Sequence, residues 1–161
     1  MQNNRTYLNT QYSLVQQSRA LVFEYCKTIT ADDFVIENTS FGLGGSIRNL
    51  LIHVANCYLF WIQKRALNKK IRETEYTSMS TVAEIEKLYQ AVDVGVLEFL
   101  ERYQSMMFDP ILITKNGIDH NISPLKLFTH VTTHEFHHKG QILSLSKQLG
   151  YTPIDSDIIR F

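Results

Sequence analysis

The sequence predicts an all-α protein with the architecture of a four-helix bundle. Four segments of roughly 20 residues carry apolar side chains at helical spacing, and turn-forming or polar residues separate them. The chain has 161 residues, of which 44% are hydrophobic, so it can form one compact domain with a substantial core. We therefore expect a single domain over residues 1–161, in which the helices pack around one core.

The first predicted helix runs from about Thr6 to Ile29. Its apolar side chains lie close together on a helical wheel: Leu8, Tyr12, Val15, Leu21, Val22 and Tyr25. Polar residues follow it, and they predict an irregular connection that ends in the glycine-rich run 42–45. These polar residues are Asp32, Asp33, Asn38, Thr39 and Ser40.

The second and third helices each begin at a residue that can cap a helix. Ser46 is the predicted cap of a helix over about Ile47 to Leu67. Its apolar stripe consists of Leu50, Val54, Tyr58 and Trp61. The third helix runs to about Gln104, and its first residues, Thr-Val-Ala-Glu from Thr81, match a capping box. Gly95 inside that helix costs about 1 kcal/mol relative to alanine, or it permits a close helix contact.

Residues Ser105 to Ile122, before the fourth helix, are predicted to be irregular. Within them, a small hairpin is predicted at 112–117, because Asn-Gly can form its turn. Ser123 and Pro124 then open the fourth helix as its cap and first residue. Gly150 ends that helix, with Pro153 just beyond it. We expect the tail, residues 155–161, to pack across the bundle.

Charge and cysteine content exclude several classes of protein. Sixteen basic residues balance sixteen acidic ones, so a broad nucleic-acid surface is not expected. The densest basic cluster, 64–72, is interpreted as the solvated end of a helix. Cys26 and Cys57 are too few for a disulfide framework and suit a reducing cytoplasm. The chain shows no signal-peptide pattern at its start and no apolar run of the ~20 residues that cross a bilayer, so we expect a cytoplasmic protein without membrane contact.

Three of the six histidines fall within five residues of the segment 134–142, which reads His-Glu-Phe-His-His-Lys-Gly-Gln-Ile. His134 and His138 stand one helical turn apart, in the middle of the apolar stripe, whereas His130 and His137 lie at its edge. Two imidazoles at this spacing can share one transition-metal ion. The alternative is a pair of hydrogen-bonded core histidines, in which an unsatisfied ring would cost ~1–3 kcal/mol.

A third ligand must come from another helix, and His53 is the best candidate because it precedes the apolar residues that can face the fourth helix. Cys57 lies one turn after His53, so a His-Cys pair is conceivable. We favour Cys57 as an ordinary packing residue, since a lone buried cysteine behaves as a small hydrophobe. His120, in a loop beside Asp119, is expected at the surface.

Two motifs in the chain resemble those of the DinB/YfiT-like family. One is the segment 134–142 with the leucine-rich turn that follows it, and the other is Ser46-Ile-Arg-Asn-Leu-Leu-Ile-His53 with Trp61 two turns later. The resemblance covers nearly the whole chain. It implies a bundle in up-down-down-up order, a homodimer, and a divalent metal bound by three histidines. Carried over by position, these are His53, His134 and His138. The family commonly has arginine where this chain has Lys139, which keeps the charge but not a bidentate contact.

The same resemblance implies a metal-dependent enzyme. Three imidazoles leave coordination positions open, and a metal lowers the pKa of bound water or thiol. Characterised relatives include thiol-dependent S-transferases and a thiol-dependent isomerase. We therefore expect a low-molecular-weight thiol, or water in hydrolase-like chemistry, together with an electrophilic small molecule. Candidate catalytic or orienting residues are His137, Asn56 and Gln141.

The identity of the metal is left open by these residues. Zinc or nickel is favoured, with iron or manganese as further candidates, because imidazole suits several transition metals. A second hypothesis, from a different class, is a metal-binding stress-response bundle without turnover. A third, purely structural hypothesis leaves the histidines without metal.

Overall fold

Helices make up most of the structure, a computed structural model that describes residues 4–37 and 45–160. The α-helices are α1 (Asn4–Cys26), α2 (Ala31–Val35), α3 (Ile47–Tyr58), α4 (Val82–Tyr103) and α5 (Pro124–Gln148). A π-helical segment (Leu59–Ala66) continues α3, and a single 3₁₀ turn spans Tyr76–Ser78. Two short strands, β1 (Ile111–Lys115) and β2 (Ile118–Ile122), complete the described elements. All four predicted long helices are therefore present. None of the described helices combines the length and the apolar character needed to cross a membrane.

The predicted helix starts are confirmed because each cap makes the expected hydrogen bond. The hydroxyl of Ser46 accepts from the Asn49 amide at 3.0 Å. Thr81 and Glu84 form the reciprocal capping box. Ser123 accepts from the backbone of the first turn of α5, and proline follows it at the first helical position.

The predicted irregular connection after the first helix is wrong for residues 31–35, which form α2. Thr30 caps this helix by accepting from the Asp33 amide, and two aspartates in the first turn favour its dipole. Phe34 is buried and anchors the helix in the core. α1 also ends at Cys26, a few residues before the predicted boundary. The rest of the predicted connection, Asn38 to Ser40 and the glycine-rich run as far as residue 44, lies outside the described residues.

The predicted hairpin is confirmed. β1 and β2 pair antiparallel, with Ile111 opposite Ile122 and Lys115 opposite Ile118. Asn116 and Gly117 have φ angles of 53° and 75°, as a two-residue Asn-Gly turn requires. β1 packs against the π-helical segment, so the hairpin lies beside the end of α3.

The π-helical segment departs from the continuous α-helix predicted as far as Leu67. The Leu67 amide donates to the carbonyl of Ile62 at 2.9 Å, a spacing of five residues. Such turns are wider than α-helical turns and often occur at functional sites. Here the segment carries Phe60 and Trp61.

A buried charged network joins the four long helical segments. Arg19 on α1 donates to both carboxylate oxygens of Glu135 on α5, at 2.8 and 2.9 Å, and to Asp93 on α4 at 2.6 Å. The Tyr58 hydroxyl, at the end of α3, donates to Glu135 at 2.6 Å. Tyr12 on α1 donates to Asp93 at 2.6 Å. The relative positions of the helices are thus set by directional bonds as well as by apolar packing.

The tail reaches the helices, as predicted. The Ser18 hydroxyl on α1 donates to the backbone carbonyl of Ser156, which is buried. The same hydroxyl accepts from the ammonium of Lys139 on α5. The tail is therefore held to α1 at Ser156, close to α5, whereas residues 155 and 157–160 are exposed and Phe161 lies outside the described residues.

Two helical glycines should respond oppositely to substitution by alanine. A Cβ on Gly95 would lie 2.2–2.6 Å from the buried side chain of Gln63, which hydrogen-bonds the Ala91 carbonyl. Gly95→Ala should therefore lower the free energy of unfolding in urea by about 1–3 kcal/mol. Gly140→Ala meets nothing within 4 Å and should raise it by about 0.5–1 kcal/mol. Equal stability of the two variants would contradict this account.

Candidate metal centre

The three histidines predicted to bind metal come together where α3 packs on α5. The ring centroids of His53 and His134 are 5.0 Å apart, those of His53 and His138 are 4.7 Å apart, and those of His134 and His138 are 4.4 Å apart. One nitrogen from each ring lies within 4.8 Å of the others. The predicted convergence of His53 with the pair on α5 is confirmed.

The spacing of the donors fits a shared ion. The Nε2 atoms of His53 and His134 are 3.0 Å apart. Two nitrogens bonded to one ion at 2.0–2.1 Å lie about 3.0 Å apart at a right angle and about 3.4 Å apart at a tetrahedral angle. Among the described residues, a group of at least three histidine, cysteine or acidic side chains that could hold a metal is found here, and it consists of His53, His134 and His138. A divalent ion therefore fits these residues.

Burial keeps the three imidazoles in the neutral form that binds metal. It lowers the pKa of His53 and of His138 below the ordinary value. For His134, burial and then the neighbouring histidines lower the pKa to about 4. Protonated imidazole cannot ligate a metal, so the rings are ready to coordinate one at neutral pH without first losing a proton.

Gln141 orients one of the ligands. Its Oε1 lies 2.7 Å from Nδ1 of His138, so this nitrogen donates its proton and the other ring nitrogen keeps its lone pair for a metal. The amide nitrogen of Gln141 lies 3.2 Å from Nε2 of His137. His137 is exposed, with its ring 5.0 Å from that of His138. It therefore lies beside the three histidines, outside the group itself.

Asn56, also singled out from the sequence, makes its hydrogen bonds to the linker after α3. The side-chain nitrogen of Asn56 donates to the backbone carbonyl of Thr74 at 2.9 Å, and its side-chain oxygen accepts from the backbone N–H of Thr74 at 2.8 Å. This side chain holds residue 74 against the helix. The linker so held supplies one wall of a cleft.

The cleft has a volume of about 330 Å³ and opens beside His53 and His134. Its other lining residues are Asn56, Cys57, Phe60, Trp61, Glu73, Tyr76, Lys115 and His130. Burial raises the pKa of the Cys57 thiol to about 12, and its sulfur lies 3.9 Å from Nε2 of His130. Cys57 therefore stays protonated at neutral pH and contributes to the wall, while His120 lies exposed on β2.

Sequence reasoning missed the charged network that supports the ligand-bearing helices. Glu135 stands between His134 and His138 on α5, yet its carboxylate accepts hydrogen bonds from Arg19 and Tyr58. The one signal in the sequence was an arginine within the apolar stripe of α1, between Val15 and Val22. A charged residue at a core position needs a buried partner, but the sequence does not identify it.

Lys139, which replaces the arginine expected from the family resemblance, is also buried. Its ammonium donates to Ser18 and lies 3.7 Å from the ring centroid of Phe136. Burial lowers the pKa of this lysine to about 8. The ammonium group of Lys139 therefore links α5 to Ser18 on α1, which in turn bonds the tail.

Removing the charge of Glu135 should destabilise the protein strongly. Glu135→Gln leaves the buried Arg19 without its bidentate partner, and breaking such a pair costs about 3–5 kcal/mol. Urea unfolding of metal-free protein measures the loss independently of metal binding. Glu24→Gln, at an exposed carboxylate on α1, is the control and should change stability by no more than about 0.5 kcal/mol. A loss below about 1 kcal/mol in Glu135→Gln would refute the proposed importance of the network.

The metal-free protein should lose stability as the pH falls from 6.5 towards 4. Unfolded histidine has a pKa of about 6.5, whereas folding lowers the pKa of His134 to about 4 and that of His53 and His138 as well. The unfolded chain takes up protons first, so the free energy of unfolding declines across this window. The thermal midpoint should fall less steeply with pH in His134→Ala. Identical slopes in the two proteins would show that this ring is not responsible.

Comparison with known proteins gives a match to one family model. The model of the DinB family matches residues 1–161, the whole of the chain. No curated protein sequence shows significant similarity to it. The match includes both histidine motifs and the helices that carry them, so the predicted resemblance is confirmed. The chain belongs to the DinB family.

Proposed function

We propose that the protein is a metal-dependent enzyme that activates a low-molecular-weight thiol, or water, towards an electrophilic small molecule. The observation that carries the proposal is the three-histidine group, with the Nε2 atoms of His53 and His134 3.0 Å apart at the edge of a cleft. A site of three protein ligands that adjoins a cleft is typical of catalytic metal centres, in which substrate takes the remaining position.

The chain's own residues have distinct roles in this proposal. His53, His134 and His138 would hold the ion, which when bound supplies Lewis-acid chemistry that lowers the pKa of a thiol or water. Gln141 holds the ring of His138 in one orientation. His137, exposed beside the group, is the candidate to exchange protons with solvent.

We propose zinc or nickel as the metal, because imidazole donors suit both, with iron or manganese as further candidates. A low-molecular-weight thiol as partner fits a protein of the reducing cytoplasm. The homodimer and the up-down-down-up helix order implied by the resemblance belong to the same proposal.

The second candidate function is a metal-binding protein without turnover. One observation favours it: the residues singled out as catalytic candidates already have other partners. Gln141 bonds His138 and His137, and Asn56 bonds the backbone of Thr74. A bundle whose polar groups only support the ligands could store or sense a metal.

Metal analysis and a thiol-transfer assay together separate these functions. Protein purified without a nickel column should hold one divalent ion per chain, and His134→Ala should hold none. Gln141→Ala should weaken metal binding by roughly 10- to 100-fold, the usual effect of losing a group that orients a ligand. His120→Ala, on the exposed hairpin, should bind metal like the wild type.

For the assay, zinc- and nickel-loaded protein would be supplied with small thiols and a chromogenic aryl halide. We expect turnover that is lost on chelation and in His134→Ala but kept in His120→Ala. Bound metal without turnover would favour the second function. Absence of metal from carefully loaded protein would exclude both.

A further inference from the structure

The cleft beside the three histidines has an aromatic wall. Phe60 and Trp61 come from the π-helical segment, and their rings meet edge to face with centroids 5.0 Å apart. Tyr76 comes from the linker held by Asn56. The indole of Trp61 lies 5.6 Å from the ring of His130, which stacks on His134 at 5.6 Å. The aromatic surface is therefore continuous with the histidine group.

Lys115 is the cation in the lining of the cleft that stands over this wall. The charged groups of Lys64 and Arg65 lie 5.8 and 4.7 Å from the ring centroid of Phe60, but these two residues do not line the cleft. Lys115 is the last residue of β1, and its Nζ lies 5.0 Å from the ring centroid of Trp61 and 5.8 Å from that of Phe60. The Asn116-Gly117 turn and the contact of β1 with the π-helical segment hold the lysine at this edge of the cleft. The rings attract the cation and keep it over the cleft.

Among the residues that the structure describes, Lys115 makes no ion pair. The salt bridges found there involve Arg19, Lys27 and Lys69. Glu73 is the carboxylate in the lining, and it is exposed to solvent. Burial is the main cause of the lowered pKa of His130, and the positive charge of Lys115 is the second cause. The charge of Lys115 therefore acts on a group inside the cleft. An anionic group of a ligand would find a positive partner here.

We propose that this cleft binds small organic carboxylates with a flat, apolar body. The body packs against Trp61 and Phe60, the carboxylate pairs with Lys115, and the opposite end of the molecule faces His53 and His134. This inference rests on the proposed function in one respect, because the substrate would be such an acid that also carries an electrophilic carbon at the end facing His53 and His134. Binding of the acid itself needs Lys115 and the aromatic wall and does not need the metal.

Trp61 is the only tryptophan of the chain, so its fluorescence reports directly on the cleft. The titration uses metal-free protein, which separates pairing with Lys115 from coordination of a carboxylate by an ion. The probes are 3-phenylpropionate, its neutral amide 3-phenylpropionamide, and the cation 3-phenylpropylammonium. We expect the acid to bind about fivefold more tightly than the amide, as one partly exposed ion pair provides, and the preference to shrink in high salt.

Three variants test the assignment to Lys115. Lys115→Met keeps an apolar stem over Trp61 but removes the charge, so the preference for the acid should disappear. Lys147→Met, at an exposed lysine near the end of α5, is the matched control and should keep the preference. Glu73→Gln should bind the acid at least as tightly as the wild type.

Equal binding of acid and amide by the wild type would overturn the inference, and so would a preference that survives in Lys115→Met. Stronger binding of the ammonium probe, lost in Glu73→Gln, would also overturn it and show a site for cations. These results are independent of the metal. A wild type that shows no acid preference can still bind metal and transfer thiol to the aryl halide, and a wild type that shows neither metal nor turnover can still prefer the acid when it is metal-free.

Discussion

The pairing of Glu135 with Arg19 is the constraint on which the arrangement of this protein depends. Each side chain carries a charge into the core, at a cost that only close partners can offset. The carboxylate accepts two bonds from the guanidinium and one from Tyr58, and the guanidinium also reaches Asp93. Because these residues come from α1, α3, α4 and α5, the helices satisfy the charges in one relative position, whereas apolar packing alone would tolerate small shifts.

The same pairing accounts for the geometry of the metal centre. Glu135 lies between His134 and His138 on α5, and Tyr58 lies on the helix that carries His53. The network therefore joins α3 to α5 through the hydrogen bond between Tyr58 and Glu135. The three imidazoles meet on another side of α5. Partial burial there keeps the rings neutral, so that a group without acidic residues offers the lone pairs to which a divalent ion could bind.

Five of the ten residues that line the cleft lie outside the α-helices. The π-helical segment presents Phe60 and Trp61, the linker adds Tyr76, and the hairpin contributes Lys115. The helices thus supply the three histidines, and irregular or short elements supply the aromatic and cationic groups of the cleft. This division is common in enzymes, whose binding residues often stand on connections held by a stable scaffold.

The sequence by itself determined the features that depend on neighbours along the chain. The caps at Ser46, Thr81 and Ser123, the Asn-Gly hairpin turn, and the one-turn spacing of His134 and His138 all follow from local geometry, and the structure confirms them. The family motifs also singled out His53. Tertiary structure alone decided how closely His53 approaches the rings of His134 and His138, and that the end of α3 widens into a π-helical segment. It also decided which residues pair with the buried Arg19, and it placed Lys115 over Trp61. Apart from the π-helical widening, these are contacts between residues tens of positions apart. They arise from packing and from the need to pair buried charges, neither of which leaves a periodic signal in the chain.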